Sequence, residues 1–459
     1  MTTTPTLRAD TEAKRGRIST PKWKIALIVV LVLPVAALLA LLTYREAVQY
    51  SLRQQPPVNS PSGIESLEEI ELGGVKQSIL IRGADRTKPV LLWLHGGPGG
   101  AAMPGAHRYD KELVKHFVVV HWDQRGAGKS YDPVLTASDL TTQKYVSDTH
   151  ELVKRLKDRF GEQKIYLVGH SWGTALGALT VERYPKDFYA FVGLGQLVNP
   201  RAGDKITYVH VLEEARERDN AEAVQELEEL GPPPWNTAEQ IKVIGKWNAE
   251  FGGTTHKALP NPLLTMALSP AYSVRDAYSY IKGSSLSVHL MMDDLWRIDL
   301  FEQVPRLEVP VYIFQGHHDY QTPWPLAERY YEALVAPQGK ELGWFEDSAH
   351  VPYAEEPEKF DREMLRGAPR DLQERTVSTK RRASSVKNAR RRQKRKALTP
   401  VQRGPSRSPR RTPFPKGRDK RKAPPPHLRI LLSIYHSIDK GSRSSAGVAP
   451  VLCLRSHGV

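Results

Sequence analysis

Short runs of apolar residues, each ending in a glycine-bearing or charged turn, recur along the middle of the chain. Five of them have the length and composition of buried strands, at residues 89–94, 117–122, 164–168, 310–314 and 340–345. Segments with helical spacing follow the third and fourth runs, at 174–183 and 324–334. Such alternation predicts an α/β fold with a mostly parallel sheet. The turns after the strands should then meet at one edge of the sheet, where open α/β folds place their sites.

Residues 198–306 interrupt this alternation and are expected to form a helical cap. The stretches 208–230 and 274–301 are amphipathic with helical spacing, and a glycine- and proline-rich segment at 231–235 lies between them. The cap would be inserted after strand 6. The core of the fold would then comprise residues 65–197 and 307–366, with a last helix near 355–365.

The amino-terminal region carries an apolar run of another kind. Residues 25–44 are 20 residues without a charge, and at about 1.5 Å per residue they match the ~30 Å hydrocarbon core of a bilayer. Basic residues are more numerous in 1–24 than just after the run, which predicts a single-pass anchor with a cytoplasmic amino terminus and an extracytoplasmic main domain. Residues 45–64 would act as a linker. A signal peptide cleaved near 35–37 is the alternative.

The net charge of +15 is concentrated at the other end of the chain. Residues 366–459 contain 26 Lys and Arg against 4 Asp and Glu, whereas the whole chain contains 66 and 51. The remainder is therefore mildly acidic. Residues 367–459 are rich in Ser and Pro and show little apolar periodicity, so we expect a disordered basic tail. Such a tail would bind polyanions by counterion release. The alternative is a tail with no function of its own.

The third strand-like run leads into a G-x-S-x-G pentapeptide, residues 169–173, with Ser171 at its centre. A strand before it and helical spacing after it predict a sharp turn that lifts the Ser171 hydroxyl clear of the sheet edge. Glycine is expected on both sides, because a side chain would collide in so tight a turn. The pattern is typical of a serine nucleophile.

The first two strand-like runs end in loops that suit such a serine. The first loop, 95–100, reads His-Gly-Gly-Pro-Gly-Gly, and its backbone N–H groups are free to face an anion. We expect the N–H groups of Gly97 and Trp172 to form an oxyanion hole. The second loop, 123–130, ends in Gly-Lys-Ser, but a phosphate-binding loop requires glycine where this chain has Asp123. Nucleotide binding is therefore not expected.

A serine nucleophile needs a base and a carboxylate that orients it, in the chain order Ser, Asp, His. Asp319 follows the fourth strand-like run and His350 follows the fifth, so these two residues are the candidates; Asp347 is the rival acid. His317 and His318 beside Asp319 are too few ligands for a metal centre, because the chain has no H-E-x-x-H motif and one cysteine. Neither a metal nor another cofactor is expected.

Together these segments resemble the α/β-hydrolase fold and, within it, the prolyl aminopeptidase-like (proline iminopeptidase-like) serine hydrolases. The resemblance covers about residues 65–366 and rests on 95–100, 123–130, 169–173, 316–323 and 348–360. It implies that Ser171 attacks an acyl carbon, that His350 moves the proton and that Asp319 orients His350. Related dehalogenases and epoxide hydrolases carry aspartate in place of this serine, so ester or amide cleavage is favoured.

The resemblance also implies a substrate site beneath the cap, where prolyl aminopeptidases bind the free amino terminus through carboxylates. The candidate carboxylates are Glu213, Glu214, Asp293, Asp294 and Asp299. The candidate aromatic residues of an acyl pocket are Trp235, Trp247, Tyr272, Tyr278, Tyr280 and Trp296. A solvated helix face is the more usual explanation of such carboxylates, and a packed core is the more usual explanation of such aromatic residues.

The sequence thus predicts a membrane-anchored serine hydrolase acting on a small amide or ester through an acyl-enzyme, with an amino-terminal proline peptide as one candidate substrate. An esterase or lactonase of the same fold is the first alternative. A non-catalytic anchored binding protein with a polyanion-binding tail is the second. The sequence does not indicate an oligomeric state.

Overall fold

The computed structural model describes residues 22–54 and 60–367. The predicted basic tail, 367–459, therefore falls almost wholly outside the described residues, as does nearly all of the predicted cytoplasmic segment, 1–24.

An eight-stranded sheet forms the centre of the fold, in the order β1-β2-β4-β3-β5-β6-β7-β8. The strands are β1 Ile64–Leu72, β2 Val75–Gly83, β3 Val90–Leu94, β4 Val118–Asp123, β5 Ile165–His170, β6 Phe188–Leu194, β7 Val311–Gly316 and β8 Lys340–Phe345. The pairings of β2 with β1 and with β4 are antiparallel, and all pairings from β4 to β8 are parallel. The predicted α/β class with a mostly parallel sheet is confirmed.

Helices among the described residues lie on both faces of the sheet, in the cap and at the amino-terminal end. They are α1 Lys22–Arg53, α2 Ala106–Tyr109, α3 Leu113–His116, α4 Thr142–Phe160, α5 Trp172–Arg183, α6 Pro200–Glu217, α7 Ala221–Leu230, α8 Ala238–Glu250, α9 Pro262–Leu268, α10 Val274–Leu295, α11 Leu300–Gln303, α12 Trp324–Ala333, α13 Pro352–Glu355 and α14 Pro357–Gly367. Strand β3 shows why its sequence is uniformly apolar. Leu92 belongs to the buried cluster on one face and Leu91 to the cluster on the other, so no position of a central strand meets water.

The cap comprises helices α6 to α10 and is inserted between β6 and β7. Both of its long amphipathic stretches are divided by a turn that the periodicity does not reveal. The first breaks after α6, where Asp219 adopts a φ of 51° and the Asn220 side chain accepts a hydrogen bond from the N–H of Ala223 to begin α7. The second breaks before α11, where Asp299 accepts from the N–H of Phe301. An N-terminal side-chain cap therefore begins a new helix within each predicted stretch.

Helix α1 contains the apolar run and continues to Arg53. The segment Val29–Arg53 is long and apolar enough to cross a membrane, by length and composition. The first part of the expected linker, 45–53, is instead helical and docked on the cap, because Gln49 is buried and its Nε2 donates to the carbonyl oxygen of Ser269 at 2.7 Å. Residues 45–53 contact the cap through polar side chains such as Gln49, so the end of α1 shows no pattern of apolar residues.

Candidate active site

Ser171 occupies the turn between β5 and α5 in a strained backbone conformation, with φ 55° and ψ −121°. Its N–H donates to the carbonyl oxygen of Leu194 at 2.9 Å, which fixes the turn against β6. A Cβ on Gly169 would lie 2.2 Å from the oxygen of Gly173, and a Cβ on Gly173 would lie 2.2 Å from the oxygen of Leu94. Both glycines are therefore required sterically, as the pentapeptide predicts.

Asp319 and His350 are brought together from the ends of β7 and β8. Nδ1 of His350 lies 2.9 Å from Oδ2 of Asp319, and the Asp319 carboxylate is fully buried. The other oxygen, Oδ1, accepts from the N–H groups of Gln321 and Thr322 at 2.9 Å each. This carboxylate is thus held rigidly with one oxygen on the imidazole, which favours the tautomer that carries its proton on Nδ1.

The rival acid, Asp347, lies outside this arrangement. Its side chain is 70% exposed and forms a 3.5 Å ion pair with Lys257. An exposed carboxylate in the loop of His350 itself cannot supply the buried contact that Asp319 makes.

His170 connects the turn of Ser171 to the loop of His350. Its Nε2 donates to the carbonyl oxygen of His350 at 2.9 Å, and the two imidazole rings lie 4.8 Å apart between centroids. Burial lowers the pKa of His170 to about 3, so this ring is neutral at physiological pH and holds its donor role. Ser171 and His350 are therefore fixed relative to each other through their neighbours.

The glycine loop 95–100 is fixed by a second buried histidine. Nδ1 of His95 donates to the oxygen of Gly96 at 2.7 Å, and its Nε2 accepts from the N–H of Gln124 at 3.1 Å. Burial lowers the pKa of His95 to about 4, consistent with this neutral tautomer. The Gln124 side chain in turn accepts from the indole N–H of Trp172 at 3.1 Å. These hydrogen bonds thus join the loops that follow β3 and β4 to the start of α5, after β5.

The predicted oxyanion donors, Gly97 and Trp172, belong to the two segments that adjoin Ser171. Gly97 adopts a φ of 110° and lines the same cavity as Ser171. Trp172 is the first residue of α5, so its N–H lies in the first helical turn, whose donors have no acceptor within the helix. The positive end of the helix dipole also favours an anion there.

A cavity of about 260 Å³ lies between Ser171 and the cap. Its walls are mostly apolar and include Val198, Ile241, Val288, Met292, Leu295 and Trp296. Besides Ser171, the polar side chains that line it are few: those of Gln196, Asn199, Asp204, Gln321 and Thr322. An apolar pocket with a few convergent polar groups is typical of a small-molecule site.

One of the predicted aromatic residues lines this cavity, two lie in the apolar cluster of the cap (Trp235 and Trp247), and Tyr278 is exposed. Trp296 lines the cavity. Trp235 is buried in the apolar cluster of the cap, and its indole donates to the oxygen of Gly231 at 3.0 Å. It also lines an adjoining cavity of about 270 Å³, which shares Trp296 and Asp204 with the first. Trp235 is thus one layer removed from Ser171.

The predicted carboxylates Glu213 and Asp294 do not face the cavity. Glu213 is exposed on α6. Asp294 accepts from the N–H of Thr142 at 2.6 Å and so caps the start of α4. Asp299 likewise serves a structural role, since its Oδ2 accepts from the Asn199 side chain at 2.8 Å. The structure thus does not bring Glu213 and Asp294 to the cavity, because the helices turn these groups to solvent or to backbone donors.

Asp204 on α6 is the carboxylate that does line the cavity, and sequence reasoning missed it. It contributes to both cavities, and burial raises its pKa to about 6, although the nearby Arg201 opposes this shift. A half-buried carboxyl group in a mostly apolar wall, which forms no ion pair with the nearby Arg201 in the described part of the chain, favours a positively charged ligand. Asp204 precedes the predicted amphipathic stretch 208–230, and no feature of the sequence distinguishes it from the other carboxylates of α6.

Within residues 22–54 and 60–367, no group of three or more His, Cys, Asp or Glu has an arrangement that could hold a metal ion. His318 stacks on His256 instead, with ring centroids 3.6 Å apart.

Known proteins resemble this chain over the core and the cap. A family model described as the alpha/beta hydrolase fold matches residues 89–357. The probable aminopeptidase YbaC of Bacillus subtilis is 35% identical over 314 residues, which cover 67% of this chain and 98% of YbaC. The proline iminopeptidase of Heyndrickxia coagulans is 27% identical over 275 residues, or 59% of this chain and 87% of that protein.

A solved structure agrees at the level of the fold. The crystal structure of the proline iminopeptidase of Mycobacterium smegmatis superimposes with a TM-score of 0.50 at 20% identity, covering 68% of this chain and all (100%) of that one. The resemblance predicted from the motifs is thus confirmed by both sequence and structural relatives. This chain belongs to the alpha/beta hydrolase fold family, among relatives named as aminopeptidases and proline iminopeptidases.

Proposed function

We propose that this protein is a membrane-anchored serine aminopeptidase that releases a small amino-terminal residue through an acyl-enzyme. The observation that carries the proposal is that Ser171, on its strained turn, lines a cavity with the half-buried carboxyl group of Asp204, while its neighbour His170 is bonded to the backbone of His350 in the Asp319–His350 pair. The names of the relatives support peptide substrates over other acyl compounds.

The geometry supports a two-step acyl transfer. Ser171 Oγ would attack the carbonyl carbon of the substrate while Nε2 of His350 takes the hydroxyl proton, and the same proton would then pass to the departing amine. Water would repeat the sequence on the acyl-enzyme and release the acid. Asp319 would stabilise the imidazolium that forms, because its Oδ2 lies 2.9 Å from Nδ1.

The oxyanion would be held by the N–H groups of Gly97 and Trp172. Loss of one such donor typically costs about 3 to 4 kcal/mol of transition-state stabilisation. Both groups belong to segments that the His95–Gln124–Trp172 contacts keep in place, so the donors would be in position before the substrate arrives.

Asp204 would bind the free ammonium group of the substrate. An ammonium placed beside this carboxyl group would restore its charged form and form a charge-assisted hydrogen bond. The apolar side chains around it, with Trp296 among them, would receive the small side chain of the first residue. This pairing of one carboxylate with an apolar wall suits an amino-terminal proline or alanine.

Helix α1 would anchor the enzyme in the bilayer, with its amino terminus in the cytoplasm and the catalytic domain outside. The segment Val29–Arg53 meets the length and apolarity of a span. The exposed face of the run, from Val29 to Leu42, has no protein partner among the described residues that would cover it. Lipid would supply that cover.

The test is turnover by the full-length protein in detergent, with proline and alanine nitroanilides beside short-chain nitrophenyl esters. Ser171→Ala protein serves as the blank. Cleavage of the anilides that requires Ser171 supports the aminopeptidase. Cleavage of esters alone would reassign the site to an esterase, and Asp204 would then have no ammonium to bind.

A further inference from the structure

The outer face of the cap exposes a row of large apolar side chains. On α10, Val274 is 73% exposed, Tyr278 60% and Ile281 54%, at a spacing that places them on one side of the helix. On α9, Leu263 and Leu264 are 56% and 52% exposed. We call these five residues the α9–α10 face. Clustered apolar exposure of this kind on a soluble domain marks an interaction surface.

Basic side chains border the α9–α10 face, and one of them lies near its tyrosine. Arg275 and Lys282 are exposed next to Val274 and Ile281. The Nζ of Lys282 lies 5.8 Å from the centroid of the Tyr278 ring. Apolar residues bordered by tyrosine and lysine are typical of helices that lie in the headgroup region of a membrane, where long cationic side chains reach phosphate groups.

The segment that joins α9 to α10 is bonded to α1. Arg45 donates from Nε to the oxygen of Ala267 at 2.9 Å and from Nη2 to the oxygen of Tyr272 at 2.8 Å. One and two turns further along, Gln49 donates to Ser269 and Arg53 to Pro270. Arg45, Gln49 and Arg53 thus lie on one side of α1 and bind four carbonyl groups between residues 267 and 272.

If α1 spans the membrane, these bonds determine how far the cap lies from the hydrocarbon core. Arg45 follows Leu42, an exposed residue near the end of the apolar run, by three residues, or about 4.5 Å along the helix axis. The interfacial layer beyond the hydrocarbon core is roughly 5 to 7 Å thick on each side. Tyr272, bonded to Arg45, and Val274, two residues later, therefore lie at the level of the headgroups if α1 spans the membrane.

We infer that the α9–α10 face rests on the lipid surface of the bilayer in which α1 is embedded. The inference rests on the membrane anchoring proposed above. Continuity with α1 favours lipid as the occupant over a second copy of the chain, and so does charge, because Arg275 and Lys282 would repel their counterparts in a self-paired dimer but attract anionic headgroups.

The test places one fluorescent probe at a time on the full-length protein. With Cys453→Ser removing the single native cysteine, Ile281→Cys and Leu264→Cys each carry a nitrobenzoxadiazole label on the α9–α10 face. Glu213→Cys, exposed on α6, is the matched control. Leu38→Cys, in the apolar run, reports whether α1 is inserted. Each protein is reconstituted into vesicles of neutral and anionic phospholipid that contain a lipid spin-labelled near the headgroup or deep in the acyl chain.

We expect the shallow spin label to quench the probes at 281 and 264 at least threefold more than the probe at 213, and the deep label to quench the probe at 38. Quenching at 38 with none above the control at 281 and 264 would overturn the inference and leave the anchor intact. No quenching at 38 would overturn the anchor and the inference together. Emission at 281 that shifts with protein concentration, yet ignores the spin label, would assign the face to a second copy and also overturn the inference.

Discussion

Nδ1 of His350 lies 2.9 Å from Oδ2 of Asp319 across 31 residues of chain. The two residues follow β7 and β8, which are neighbouring parallel strands, so their loops leave the sheet at the same edge. The pairing depends on the register of the sheet as well as on the residues themselves. Neutralising Asp319 while keeping its shape therefore tests the role of the pair.

Asp319→Asn should lower kcat by about 10⁴-fold, the loss seen in serine proteases when the orienting acid becomes an amide. The amide N–H₂ would face Nδ1 and favour the tautomer with its proton on Nε2, which cannot accept the proton of Ser171. KM should change little. Steady-state kinetics on the best anilide substrate, with thermal unfolding to confirm the fold, measure this. A loss below tenfold would mean that another group orients His350.

Thr322 supports the same pair through its hydroxyl. Its Oγ1 donates to Oδ2 of Asp319 at 2.9 Å and lies 3.2 Å from Nδ1 of His350. Thr322→Val keeps the shape and removes one hydrogen bond to a charged group, worth about 1.5 kcal/mol or roughly tenfold in kcat. Thr322→Ser should restore activity. Equal losses in both variants would indicate a packing effect of the methyl group instead.

Asp204 should make recognition of the amino terminus depend on pH. Because burial raises its pKa to about 6, the free enzyme carries a neutral carboxyl group below that pH and a carboxylate above it. The ratio of kcat/KM for an alanine anilide to that for an uncharged ester should therefore fall as the pH drops from 8 to 5. Taking the ratio removes titrations common to both substrates.

In Asp204→Asn protein the same ratio should be at least tenfold lower at pH 8 and independent of pH. Glu213→Gln, on the exposed face of the same helix, is the control and should match the wild type. A ratio unaffected by Asp204→Asn would exclude this residue from ammonium binding.

Arg125 and Asp148 form a buried ion pair that fixes the loop 123–130. Nε and Nη2 of Arg125 donate to the two carboxylate oxygens at 2.9 Å each, and both side chains are 1% exposed. Asp148→Ala leaves a buried cation without its partner and should lower the free energy of unfolding by about 3 to 5 kcal/mol.

The control for that variant is Glu228→Ala. Glu228 pairs with Arg216 at 2.8 Å, but both side chains are more than half exposed (55% and 56%), so its loss should cost under about 1 kcal/mol. Denaturant unfolding of the two variants gives both values. If both variants lost a similar free energy of unfolding, burial would not determine how much the Arg125–Asp148 pair stabilises the protein.

The sequence predicts five of the eight strands, and the pair Asp319–His350, because these signals are local; it does not mark β1, β2 or β6. A central strand such as β3 is apolar throughout, and the chemistry-bearing residues follow directly after strands. The cap is different. Asp204, Glu213 and Asp294 are all carboxylates on amphipathic helices, and only the docking of those helices decides which faces the cavity, which faces water and which caps α4.

The end of α1 was unpredictable for a related reason. Arg45 and Gln49 are polar, so apolarity stops at about Tyr44 although the helix continues to Arg53. Their partners are backbone carbonyl groups between 267 and 272, more than 200 residues away in the sequence. No local pattern reports such a contact.

The central claim is that Ser171 is an activated nucleophile, and covalent labelling tests it most directly. Full-length protein in detergent is treated with a fluorophosphonate, and the modified peptide is identified by mass spectrometry. We predict one label per chain, on Ser171, which is absent in Ser171→Ala and formed far more slowly in His350→Ala, together with a loss of turnover on the order of a millionfold in Ser171→Ala. A folded protein that takes no label, or that is labelled equally after Ser171→Ala, would contradict the account.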